Sequence, residues 1–185
     1  MREQPLCGAA LLLVECRRMP PFVLATLAII IGTFAWGALR GAPWVPTRRR
    51  DLDRIVALAH ARAGERVADL GCGTGGVLVG FAARGCRVRG WELAILPWLV
   101  ARVRFWRTPG AQIRYGDFWY TNLADCDVVY AFLMPASLAR LAPKLAAELK
   151  SGARVITYTW PLPGWPPIAV DRAADAIPIF SYRVV

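Results

Sequence analysis

The chain has 185 residues, 56% hydrophobic and 19% charged, with 23 basic against 13 acidic side chains and a formal net charge of +10. That length holds one domain and an appendage, and the apolar fraction excludes a disordered chain. One histidine (His60) and five cysteines without a C-x-x-C pair argue against a zinc centre, a disulfide framework or a histidine-based triad.

In chain order, residues 1–18 form an N-terminal extension. Phe22 to Leu39 (FVLATLAIIIGTFAWGAL) then runs 18 residues without a charge, bounded by Arg17 and Arg18 before and Arg40 after. Apolarity on every face over that length predicts a transmembrane helix within residues 19–40, since a core helix would show a polar stripe. Trp36 and Trp44 suit the interface belt. Arg40, Arg48, Arg49, Arg50 and Arg54 after the run outnumber Arg2, Arg17 and Arg18 before it. The positive-inside bias predicts a single-pass anchor in the inner (cytoplasmic) membrane with the remainder facing the cytoplasm. Residues 41–50 read as a juxtamembrane linker and 51–185 as the functional domain.

Within that domain Leu52 to Arg62 predicts a helix that includes His60, with Asp51 and Asp53 at its positive end. Strands are expected at Arg66–Leu70, Cys86–Leu93, Ile113–Tyr115, Asp127–Leu133 and Ala153–Thr159. Between them lie helices at Gly75–Arg84, Pro97–Arg107 and Ser137–Lys150, the last with Ser137 as its cap. The tail segments Ile168–Val170 and Ile179–Val184 predict an edge hairpin. Such alternation implies an α/β, Rossmann-like, doubly wound and mostly parallel sheet with a C-terminal edge hairpin. Ligands in such sheets bind beyond the carboxyl ends of the strands, where Gly71–Gly76, Glu92 and Asp117 all fall.

The informative segment is Asp69-Leu-Gly71-Cys72-Gly73-Thr74-Gly75-Gly76, a strand end, a glycine loop and a helix start. Glycine permits positive φ and lets a ligand approach bare backbone, while the helix start offers unpaired N–H groups to an anion. Gly71, Gly73 and Gly76 also satisfy the dinucleotide fingerprint G-x-G-x-x-G, so a nicotinamide cofactor competes for this loop. Asp69 shifts the balance. A carboxylate there opposes a pyrophosphate but welcomes an ammonium group, and S-adenosylmethionine carries an ammonium, a carboxylate and no phosphate. Glu92 can accept from ribose hydroxyls, and Asp117 from an adenine amino group with Phe118 or Trp119 beside the ring.

The D-x-G-x-G-x-G loop, the acid closing the second strand and Gly116-Asp117 after the third together resemble the class I, seven-β-strand methyltransferases. More narrowly, a hydrophobic anchor, Pro43-Trp-Val-Pro-Thr47, Asp117-Phe118-Trp119 and Thr159-Trp160-Pro-Leu-Pro-Gly-Trp165 resemble the small membrane-anchored protein-lysine methyltransferases. These are related to the enzymes that modify the mitochondrial adenine nucleotide translocase and the ATP synthase c subunit. The resemblance implies S-adenosylmethionine as donor and lysines of membrane or membrane-proximal proteins as acceptors. It departs from the family at Thr74, where an acid is usual, at Arg48, where a proline often stands, and in two extra residues between Glu92 and Pro97.

The expected donor-binding residues are therefore Asp69, Gly71, Cys72, Gly73, Gly75 and Glu92, with Asp117 and Phe118 at the adenine end. Asp117, Trp119 and Trp160 are the candidates at the acceptor. Tyr120, Tyr130 and Trp165 could line the same channel, and Met134-Pro135 could shape it. A lysine must lose its proton before attack, and water, a backbone carbonyl or Asp117 could take it. The alternatives are a small-molecule, lipid or RNA acceptor, or a membrane-tethered module that binds a nucleotide without turnover. Arg84, Arg87, Arg89, Arg102, Arg104, Arg107 and Arg114 read as a solvated or lipid-facing surface, so the membrane and a membrane protein are the expected partners. Nucleic acid and metal are not.

Overall fold

The computed structural model describes residues 19–39 and 45–185, the side chains of residues 38 and 39 excepted. The extension 1–18, with Cys7 and Cys16, and residues 40–44, with Arg40 and Trp44, lie outside the described residues. The uncharged run forms helix α1, Pro21–Leu39. Phe22, Ile29 and Ile31 of α1 are exposed. Among the described residues no helix is long and apolar enough to cross a membrane.

The domain opens with a 3-10 turn, Arg49–Asp51, and helix α2, Leu52–Leu58. Strand β1 (Arg66–Leu70), helix α3 (Gly76–Ala83), strand β2 (Arg87–Glu92), helix α4 (Ile95–Arg104) and strand β3 (Gln112–Tyr115) follow. Strand β4 (Val128–Ala131), helix α5 (Pro135–Glu148), strand β5 (Arg154–Tyr158), strand β6 (Ala169–Asp171) and strand β7 (Ile179–Arg183) complete it. One seven-stranded sheet runs in the order β3-β2-β1-β4-β5-β7-β6. β1 to β5 are parallel, while β7 runs antiparallel to β5 and β6 antiparallel to β7. The expected doubly wound sheet with a C-terminal edge hairpin is therefore present.

Alternation along the strands sorts the core into two layers. Ala68 and Leu70 of β1 join Leu138, Leu141 and Leu145 of α5 on one face. Val67 joins Ile55 and Val56 of α2 and Leu78 and Phe81 of α3 on the other. Asp69 shares the parity of Val67 and so points toward the α2–α3 side. β2 and β3 extend the sheet from one edge of β1 and β4 and β5 from the other. The order in which strands are added thus reverses beside β1, which opens a crevice beyond its carboxyl end.

Three expected boundaries differ for identifiable reasons. The helix expected to reach Arg62 stops at Leu58, and His60 takes a φ of 46°. Arg154 Nη1 donates to the carbonyls of Ala59 (3.0 Å) and His60 (2.5 Å), drawing that turn toward β5. His60 therefore lies in a turn and not in a helix. Helix α4 begins at Ile95, two residues before Pro97, because first-turn N–H groups need no helical partner and proline is tolerated there. Helix α5 begins at Pro135 with Met134 at its cap position, so Ser137 is a first-turn residue and not the cap.

Candidate active site

At the crevice β1 ends and the chain enters the glycine loop. Gly71, Gly73 and Gly75 have φ of 88°, 54° and 76°, a left-handed path that other residues adopt at a cost. The N–H groups of Gly71 and Cys72 both donate to Trp91 O, at 3.1 and 2.9 Å, which fastens the loop to the end of β2. A Cβ on Gly71 would meet nothing within 4 Å, whereas one on Gly75 would lie 2.6 Å from the Phe105 ring. The first glycine thus faces open space and the last is packed.

The Cys72 side chain is buried over Gly90, where an added Cβ would come within 2.6 Å of its Sγ. Burial, then the charges of Asp69 and Glu92, push its thiol well above the ordinary range. Cys72 is therefore a packing residue beneath the loop and not a nucleophile.

Glu92 closes β2 and is buried. Its Oε2 accepts from Gly73 N and its Oε1 from Ala94 N, each at 2.8 Å. A carboxylate offers about four acceptor sites, so each oxygen keeps one for a ligand hydroxyl. Asp69 is 3% exposed. Among the described residues no hydrogen bond is made to its carboxylate. Burial first, and the charge of Glu92 second, push it up to about 8. A buried acid to which no described residue donates, beside a second acid, is a site prepared for a cationic group.

Asp117 stands at the head of a short 3-10 turn, Phe118–Tyr120, and its Oδ1 accepts from Trp119 N at 3.0 Å. Phe118 packs on Trp119 with ring centroids 4.8 Å apart. Arg140 also lies over Trp119, with its guanidinium carbon 4.2 Å from the ring centroid.

These groups border one cavity of about 1000 Å³. Asp69, Gly71, Cys72, Gly73 and Glu92 line it at the loop end, with Asp117, Phe118 and Trp119 further along. Gly75, Tyr120, Met134, Trp160 and Trp165 are not in its wall. Trp160 is 40% exposed. Thr159, with a φ of 75°, turns the chain there, and Thr157 Oγ1 donates to Trp160 O at 2.7 Å.

Several wall residues come from segments to which the sequence reading gave another role. Val45, Pro46, Thr47, Arg48 and Arg49, read from the sequence as linker, form part of the wall, and so does Gly37 of α1. Thr47 Oγ1 lies 3.0 Å from the hydroxyl of Tyr130, which is the register partner of Asp69 across β1 and β4. Phe132 adds an aromatic edge, packed at right angles on Tyr158.

A seven-stranded sheet with the β7 strand reversed, a glycine loop after β1, an acid closing β2 and Gly-Asp after β3 define the class I methyltransferase fold and site. The family profile of the ANTKMT methyltransferase domain matches residues 69–169, and the chain belongs to that family. It is 41% identical over 136 residues to the adenine nucleotide translocase lysine N-methyltransferase of Mus musculus, over 69% of this chain and 57% of that protein. It is 34% identical over 151 residues to the lysine N-methyltransferase of the ATP synthase c subunit from Rattus norvegicus, over 78% of this chain and 68% of that one. A protein-lysine N-methyltransferase of Saccharolobus islandicus is 32% identical over 139 residues, 72% of this chain and 86% of its own. The chain thus spans little more than half of the mouse relative. Among solved structures, an RNA methyltransferase from Salinibacter ruber with S-adenosyl-L-homocysteine superposes with a TM-score of 0.71 at 23% identity, covering 76% and 94% of the two chains. That likeness is one of fold.

S-adenosylmethionine fits these residues. Gly71 leaves a cradle that any side chain would fill, Asp69 is an acid without a hydrogen-bond donor among the described residues, and Glu92 has acceptor capacity left for a ribose.

Proposed function

We propose that this chain transfers methyl groups from S-adenosylmethionine to lysine side chains of a membrane or membrane-proximal protein. When bound, the donor supplies an electrophilic methyl carbon on a sulfonium. The protein's own part is to hold and to exclude water. Asp69 and the first-turn N–H groups of α3 take the two ends of the amino-acid moiety, Glu92 takes the ribose, and Asp117 with Phe118 flanks the adenine.

The observation that carries the reading is the continuity of the cavity. The acid-and-glycine end opens without interruption onto a wall built by Trp119, Tyr130, Phe132 and Thr47. A lysine ammonium entering a wall of that kind is partly desolvated, which lowers its pKa and favours the neutral amine that attacks. Aromatic faces tolerate both the cationic donor and methylated products. Tyr130 is buried, and burial first and the charge of Asp69 second push its phenol well above the ordinary range. It therefore stays protonated and serves as a polar contact, not as a base. The lysine proton then passes to water, a backbone carbonyl or Asp117.

The relatives' names support lysine as the acceptor. The membrane half of the proposal rests on the sequence, on the uncharged run Phe22 to Leu39 between Arg17–Arg18 and Arg40, because the described helices are not by themselves long and apolar enough to cross a membrane. The arginines beyond it support a single-pass anchor with the domain on the cytoplasmic side of the inner membrane. Confinement to that surface raises the effective concentration of a membrane substrate.

The test is transfer of methyl label from the donor, using the full chain, to detergent-extracted membrane proteins, to lipids and to RNA in parallel. Label is expected in protein, and recovered as methyl-lysine after hydrolysis. Label confined to lipid or RNA, or found in protein on another side chain, would overturn the acceptor.

A further inference from the structure

Helix α4 carries a surface that the methyl-transfer site does not use. Ala101 is buried against the sheet, as is Phe105 just beyond the helix, but Leu96, Leu99, Val100 and Val103 on the helix and Trp106 just beyond it are exposed. Val103 is 68% and Trp106 70% exposed, high values for large apolar side chains this close together. Arg102, Arg104 and Arg107 are exposed in the same stretch. Arg107 lies over the Trp106 ring, 4.4 Å from its centroid.

Apolar residues reaching outward with arginines interleaved do not suit a protein core partner, which would leave the guanidinium groups buried and unpaired. They suit an anionic lipid surface, where the apolar groups enter the acyl boundary and the cations remain among the headgroups. Two further observations point the same way. The chain's net charge is +10, of the sign that anionic lipid attracts. The face is also continuous with α1, since Ile95 N, the first residue of α4, donates to Thr33 Oγ1 of α1 at 3.4 Å.

That contact fixes a depth. Thr33 lies six residues before the end of α1 at Leu39, about 9 Å of helix rise. Interfacial helices sit about 5–10 Å into the boundary between headgroups and acyl chains. If α1 ends at the membrane surface, α4 is carried to the level at which its exposed apolar residues meet lipid.

We infer that α4 and the Trp106–Arg107 segment form a second membrane contact, a docking face for anionic lipid that fixes the tilt of the domain on its anchor. Its depth rests on the anchor reading above; its chemistry does not. Arg104 belongs to both this face and the cavity wall, and Gly37 of α1 lines the same cavity. Docking through α4 therefore holds the cavity mouth at the bilayer surface, where a lysine of a membrane protein emerges.

The experiment uses the full chain with vesicles of zwitterionic phosphatidylcholine, and with vesicles in which about a third of the lipid is phosphatidylglycerol. Both carry brominated acyl chains as quenchers. The fluorescence difference between the wild-type chain and Trp106→Phe reports Trp106. That component should be quenched at least twofold more in the anionic vesicles, and the excess should disappear in Arg102→Ala/Arg107→Ala. Each arginine near an anionic surface contributes about fivefold in partitioning. Donor binding of the variants, which does not involve these side chains, should match the wild type, and their thermal melting should fall by no more than the loss of one exposed cation–π contact allows.

Co-sedimentation with both compositions and no quenching of Trp106 would overturn this proposal and leave the anchor standing. Sedimentation with anionic vesicles alone, with Trp106 quenched, would support the docking face and overturn the anchor. Equal quenching in both compositions, unchanged in the double variant, would overturn the lipid selectivity. Failure to sediment with either would overturn both.

Discussion

Asp69 concentrates the electrostatics of the site in one carboxyl. An unfolded aspartate titrates near 3.9, and this one is pushed up to about 8. Between those values the folded chain holds a proton that the unfolded chain has lost. Its contribution to stability is therefore complete below about pH 4 and is lost as pH rises through about 8. Asp69→Asn keeps the shape and removes the titration. In urea titrations without donor it should flatten this part of the pH profile and exceed the wild type in stability at pH 9. A bound ammonium reverses the preference and pulls the pKa down. Donor binding at pH 7 should accordingly release close to one proton, and affinity should climb toward pH 8. Calorimetry in two buffers of different ionisation heat measures that release. Its persistence in Asp69→Asn would refute the pairing of acid and ammonium.

At the level of the element, the two outer glycines of the loop separate packing from binding. Gly75→Ala places a methyl against the Phe105 ring as well as in a left-handed backbone, and should cost about 2–4 kcal/mol by denaturant titration. Gly71→Ala meets no protein atom and should cost only about 1–2 kcal/mol, yet should weaken donor binding at least tenfold because its methyl occupies the cradle. Equal binding by Gly71→Ala and wild type would remove the loop from the donor site. The loop was legible because its requirements are local, with Asp69, the glycines and the helix start within eight residues. The sheet order was legible for a similar reason, since alternating strands and helices admit few topologies. What escaped came from distant partners. Thr47 reaches Tyr130 across 83 positions, and Arg154 of β5 ends α2 by gripping the carbonyls of Ala59 and His60. Trp160 follows β5 closely enough to suggest the site, but the left-handed turn at Thr159 takes it out of the wall.

Over the whole molecule, one guanidinium joins the beginning of the domain to its end. Arg54 Nη1 donates to Asp51 Oδ1 at 2.8 Å, while its Nε and Nη2 hold both oxygens of Asp171 in β6, at 3.1 and 2.6 Å. Tyr158 of β5 donates to the other oxygen of Asp51 at 2.6 Å. Burial alone would raise Asp51, but Tyr158 and Arg54 outweigh it and hold its carboxyl below the ordinary range. Arg54→Met leaves that buried carboxylate without its cation and should cost about 3 kcal/mol near neutral pH. The cost should shrink as pH falls below about 4, where a lowered carboxylate loses its advantage, and urea midpoints across that range measure it. Residues 45–49 lead from the hydrophobic helix into the domain and are also one side of the cavity. Leash and pocket are thus cut from the same peptide. A fragment trimmed back to Leu52 would be silent because its vessel is open on one side, and its silence would say nothing about where in the cell the protein resides.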